Sequence, residues 1–193
     1  MTAVVADAVA DDGAARGAWA AAARRCARAV TILSVAAGQS VHVVTAATFG
    51  VVSVDPPLVQ VTVAARGRTR ALIERGGGFG VSLLSAEQES VASGCAVPGR
   101  RLGWAHLPSG LWWPAPGSGA PLLCGAPAWL DCRLHSVVDL APQALVVGSV
   151  EHAGTGPAAA PLVRFDGTYR PLHADGSLVA GEGVTHREED PGS

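Results

Sequence analysis

Few side chains in this sequence are placed to do chemistry. All 14 basic residues are arginine. Three of them, Arg66, Arg68 and Arg70, stand just ahead of a helix-like stretch with Thr69 among them. Such a turn either takes an anion by charge-assisted bonds or is merely a solvated basic loop. Thr45 and Thr48 end an apolar run, and their hydroxyls either face a ligand or close on nearby backbone. Trp104, Trp112 and Trp113 lie in a Pro- and Gly-rich stretch, where aromatics either cover a planar ligand or pack at a dimer interface. Gln143 is read either as a plain strand residue or as part of a ligand pocket.

Other chemistries find no support. His42, His106, His135 and His152 have no ligand spacing, and no metal site is expected. Cys26, Cys95, Cys124 and Cys132 include no C-x-x-C pair, so they are read as reduced, mostly buried thiols. The run GGGFG at 76–80 lacks the Lys-Ser/Thr ending of a phosphate loop and is read as a turn.

The elements that must position these groups follow from composition and period. The 193 residues fit one domain, and 49% hydrophobic against 16% charged residues is ample for a core. The net charge of −2 favours neither nucleic acid nor an anionic membrane as partner. No apolar run reaches the ~18 residues of a membrane span. The N-terminus has no basic region before its apolar stretch and makes a poor signal peptide, so a cytoplasmic protein is expected. Residues 1–15 read as a flexible leader, 16–172 as the domain and 173–193 as a disordered tail.

Ala18 to Ala29 is Ala- and Arg-rich and predicts a helix. Val30–Val35 and Val41–Phe49 are strands of a hairpin around AAGQS. Asp55-Pro56-Pro57 predicts an extended break, and Leu58–Ala64 a central strand. A short helix starts near Thr69 and stops at Gly76-Gly77-Gly78. Phe79–Ser85 is a strand; Ser85 and Gln88 have capping-box spacing and open a helix to about Gly94. Residues 97–121 show no period. Pro127–Val138 alternates cleanly and pairs with Gln143–Ala153, and Leu162–Arg170 is a last strand. About seven strands with two or three helices and short connections predict a mainly β fold with peripheral helices, closed as an antiparallel barrel.

Four ordered segments carry a resemblance: TAATFGVVSVDPPLVQV (Thr45–Val61), ARGRTRALIERGGGFGVSLLSAEQE (Ala65–Glu89), APLLCGAPAWLDCRL (Ala120–Leu134), and ALVVGSV with FDGTYRPL (Ala144–Val150, Phe165–Leu172). Together they resemble the flavin reductase-like, FMN-binding split-barrel family, whose first segment reads T-A-S-S-F-x-S-V-S-x-D-P-P-L-V. The resemblance implies a flavin, FMN or FAD, held by Thr45, Ala46, Ala47 and Thr48, by Val63 and Ala64, and by Arg66, Arg68 and Thr69 at the phosphate, with Tyr169 nearby. It implies NADH or NADPH as hydride donor, a homodimer, and a flavin-dependent monooxygenase fed by diffusing reduced flavin. Gln143, Trp104, Trp112 and Trp113 would line the nicotinamide or substrate pocket. This sequence has Gly67 where the family has a phosphate-turn Ser, and Ala141-Pro142-Gln143 where it has G-D-H. Two functions stay open: an NAD(P)H:flavin oxidoreductase, or a divergent split-barrel protein using flavin or an emptied pocket for a biosynthetic step.

Overall fold

The computed structural model describes residues 13–97, 99 and 103–172. Most of the expected leader and the expected tail lie outside them. Gly13 to Ala15 lie within them, in the first helix rather than in a leader.

That helix, α1 (Gly13–Arg24), starts and ends about five residues earlier than its composition predicts. Its expected end is taken by β1 (Arg28–Ala29), which pairs with β11 (Leu162–Phe165). Partnering in the sheet wins over intrinsic helix propensity here. β11 turns back into β12 (Thr168–Pro171) at Asp166 and Gly167, both at positive φ. The single strand expected over 162–170 is therefore a tight hairpin.

The main sheet is antiparallel throughout. It contains β2 (Thr31–Ala37), β3 (Ser40–Ala46), β4 (Gly50–Ser53), β5 (Leu58–Ala64), β6 (Gly78–Leu83), β9 (Ala128–Leu140) and β10 (Gln143–Thr155). Their order is β3-β2-β6-β9-β10-β5-β4, so β3 and β4 are its edges and no ladder joins them among the described residues. β4 was not expected. It forms because Val54 to Pro57 make a hairpin turn into β5, not the extended break read from the two prolines.

Two helices cover the sheet. α2 (Arg68–Gly76) ends with Gly77 in the left-handed conformation, its N–H bonded to the carbonyl of Ile73 at 2.8 Å. It buries Leu72 and Ile73. Ser85 and Gln88 close the predicted capping box around a 3-10 turn that leads into α3 (Glu89–Cys95).

One core cluster joins Leu33 and Val35 of β2, Val59, Val61 and Val63 of β5, Phe79 and Val81 of β6, Cys132 of β9 and Ala144 and Val146 of β10. A second gathers Val30, Ile32, Leu84, Ala92, Cys95, Leu123 and Leu162. The stretch 97–121 is not structureless: β7 (Trp112–Pro114) pairs with β8 (Pro121–Leu123). Cys95 and Cys132 are buried, whereas Cys26 and Cys124 are exposed, contrary to the expectation of mostly buried thiols. Burial, with Asp131 and Glu151 nearby, pushes the Cys132 thiol up to about 12. Its contribution to stability is thus full below the ordinary thiol range and fades as pH rises toward that value.

Gly148 sits at a register shift of the β9–β10 ladder, facing Phe79. A Cβ there would lie 2.5 Å from the Phe79 ring and 3.0 Å from Cys132 Cβ. Gly148→Ala should therefore cost about 1–3 kcal/mol through overpacking. Urea unfolding checks this; an unchanged midpoint would show that the core yields freely.

Candidate functional site

Three connections meet at one end of the sheet. They are the β3–β4 link (Ala47 to Phe49), the β5–α2 turn (Ala65 to Gly67), and the β9–β10 turn around Ala141-Pro142. The β5–β10 register fixes their meeting, since Gln143 pairs with Ala64. The N–H of Ala65 then donates to the carbonyl of Pro142 at 2.9 Å.

Between them lies a cavity of about 320 Å³. It is lined by Thr45, Ala46, Ala47 and Thr48, by Thr62, Val63 and Ala64, by Thr69 and by Gln143. Eight residues singled out from the sequence thus come together. A second cavity of about 630 Å³ adjoins at Ala64 and is walled by Ala65, Arg66, Gly67, Ala141 and Pro142.

The hydroxyls behave partly as backbone partners. Thr45 Oγ1 donates to the carbonyl of Ala92 at 2.6 Å, tying β3 to α3. Thr48 Oγ1 donates to the carbonyl of Thr62 at 3.2 Å and accepts from its N–H at 3.1 Å. β4 stops at Gly50, paired with Gln60, and Thr62 is the next residue of β5 facing that edge. The Thr48 side chain therefore takes the place of a main-chain pair in the ladder. The main chain of Ala47 and Thr48 lies outside any ladder, at the cavity wall.

The start of α2 forms the other end of the site. Its N-cap, Gly67, has extended backbone and offers no side-chain bond to the first-turn amides. A helix N-terminus uncapped by its own side chains has N–H groups to offer an anion. Thr69 lines the first cavity and Arg66 the second, and Arg68 is exposed.

The remaining candidates do not join this cavity within one chain. Adjacent strand residues point to opposite faces, and this separates Trp112 from Trp113. Trp112 packs on the second core cluster, while Trp113 meets Trp129 edge to face at 5.0 Å. Trp104 lines a hollow with Arg75 and Ser118 at the β2–β3 turn. Tyr169 packs on the second core cluster, with the Arg164 guanidinium 5.4 Å from its ring centre. Two contributors were not foreseen: Thr62, which completes the Thr48 pair, and Asp139, bound to Arg70. Nothing in the local pattern marks either.

Thr48→Val keeps the side-chain shape and deletes both bonds to Thr62. It should cost about 1 kcal/mol, because Thr62 keeps access to water. Thr48→Ser should stay near wild type. Equal stability of all three proteins in denaturant titrations would show that the hydroxyl does not complete the ladder.

Comparison with known proteins places this geometry. Residues 23–173 match the model of the flavin reductase like domain. The chain is 34% identical over 148 residues to the reductase component of 4-hydroxyphenylacetate 3-monooxygenase from Thermus thermophilus, covering 77% of this chain and 91% of that protein. It is 35% identical over 154 residues to an NADH-dependent flavin reductase from a Rhodococcus species, covering 77% and 81%. Among solved structures, the Streptomyces globisporus NADH:FAD oxidoreductase in complex with NAD and FAD fragments superposes with a TM-score of 0.76 at 27% identity, covering 89% of this chain and all of that one. The cavity at the β5–α2 turn thus belongs to a member of the flavin reductase-like family.

Proposed function

We propose that this protein is an NAD(P)H:flavin oxidoreductase that supplies reduced flavin to a partner monooxygenase. The observation that carries the reading is the single cavity shared by Thr45–Thr48, Val63–Ala64, Thr69 and Gln143. Its volume, about 320 Å³, is at the lower end for small-molecule sites, roughly 300–1,000 Å³, and suits a flat ring with its tail outside.

FMN or FAD supplies the hydride acceptor for NADH or NADPH. The chain's own residues bind and orient it. The ladder-free main chain at Ala47 and Thr48 presents polar groups to the ring edge, and Val63 and Ala64 give an apolar wall. The α2 amides, with Arg66, Arg68 and Thr69, meet the phosphate by charge-assisted bonds. Gln143 stands at the mouth as a neutral donor and acceptor where the nicotinamide would approach. Having no titrating side chain, it offers no proton near neutral pH.

The barrel closes around the first core cluster in this reading. Support comes from the cluster itself, which draws on β2, β5, β6, β9 and β10, and from Thr48, which bridges from the end of β3 to β5. The same reading makes the protein a homodimer. Val138 and Leu140 at the cavity end of β9, and Val51 and Val54 toward the β4–β5 turn, are exposed large apolar side chains, of the kind a second copy covers. No helix among the described residues is long and apolar enough to cross a membrane. Four free thiols suit the reducing cytoplasm, where NAD(P)H is available.

Titration with FMN and FAD should show saturable binding, with nicotinamide oxidation that depends on the added flavin. Flavin bound without turnover would favour the divergent, non-reductase reading, and no binding would overturn the reductase reading and leave the emptied pocket. Sedimentation equilibrium should give twice the 19.4 kDa chain mass; a monomer that still reduces flavin would contradict the homodimer reading.

A further inference from the structure

Arg70 lies in the first turn of α2, one residue past Thr69, and its guanidinium joins three elements. Nε donates to Glu74 Oε1 at 2.9 Å, one turn further along the helix. Nη1 donates to the carbonyl of Ala65 at 3.1 Å and to Asp139 Oδ1, and Nη2 donates to Asp139 Oδ2 at 3.3 Å. Four of its five N–H donors are thus engaged. Asp139, with Glu74 adding to its effect, holds the guanidinium above its ordinary range, so it is charged at any working pH.

Ala65 is therefore gripped from both sides. Its carbonyl accepts from Arg70, and its N–H donates to Pro142. Asp139 and Pro142 belong to the same β9–β10 hairpin end that carries Gln143. Two links, one charged and one main-chain, fasten this hairpin end to the turn that opens α2. Within the turn the N–H of Gly67 donates to the carbonyl of Ala64 at 2.9 Å, and Gly67 brings no capping side chain.

We propose that Arg70 is a positioning residue for the phosphate-bearing end of the flavin. It fixes the Ala65–Thr69 turn against the β9–β10 hairpin. The α2 amides and Gln143 then keep a set separation across the cavity. Arg70 is not itself the phosphate ligand, because four of its five donors are spent on Glu74, Ala65 and Asp139. The proposal rests on the reductase reading. A merely structural ion pair predicts something different: Asp139 is two-thirds exposed, and such pairs contribute little to stability. Loss of the clamp should leave the fold intact and loosen only the phosphate turn.

The test compares FMN with riboflavin, which lacks the phosphate, as substrates of Arg70→Met, Arg70→Lys and Asp139→Asn. Wild type should reduce both flavins. Arg70→Met should raise the KM for FMN about tenfold, the weight of one charge-assisted contact. Its KM for riboflavin and its thermal midpoint should hardly move. Arg70→Lys should fall between, because a point charge cannot hold Ala65 and Asp139 together. Asp139→Asn should shift FMN in the same direction, and it serves if Arg70→Met does not fold. An active wild type with an unchanged FMN KM in the variants overturns the clamp. So does an equal rise for riboflavin, which would mark general distortion. A wild type unable to reduce either flavin overturns the reductase reading, and the clamp with it.

Discussion

The candidate site depends on one register. β5 and β10 pair from Ala64 with Gln143 to Leu58 with Ser149. That pairing buries Val59, Val61 and Val63 together with Ala144 and Val146. A slip of β5 by one residue would turn Val59, Val61 and Val63 to the outer face. It would also separate the β5–α2 turn from the β9–β10 turn. Core packing and the meeting of the β5–α2 and β9–β10 turns are therefore set by the same ladder.

What surrounds that register is a set of small substitutions of one group for another. A threonine side chain stands in for a main-chain pair at the end of β4. A glycine stands where a capping side chain would be at the start of α2. An arginine inside the helix then takes over the task of steadying that turn, through Ala65 and Asp139. Each is weak alone. Together they hold three connections around one cavity at little cost to the sheet.

Much of this was legible in the sequence where one local rule dominates. The β2–β3 hairpin, β5 and the β9–β10 pair show clear alternation or β-branched runs. The stop of α2 at Gly77 and the Ser85–Gln88 capping box follow from residue type and spacing. Thr45 to Thr48 and Thr69 of the cavity were legible through the family resemblance of Thr45–Val61 and Ala65–Glu89, not through any period. What escaped is what depends on partners distant in sequence. β1 is a strand only because β11 lies beside it. β7 and β8 are too short for a period to show. The tryptophans looked like one cluster along the chain, yet strand alternation sends Trp112 and Trp113 to different cores. Asp139 carries no local signal, since its meaning comes from Arg70 across the fold.

The most direct measurement is a crystal structure of the protein with FMN bound. The account predicts the ring between Thr45–Thr48 and Gln143, with the phosphate on the α2 amides beside Thr69 and Arg70 still on Asp139. A flavin lodged instead at the Trp104 hollow or beside Trp112, with the α2 turn empty, would contradict it.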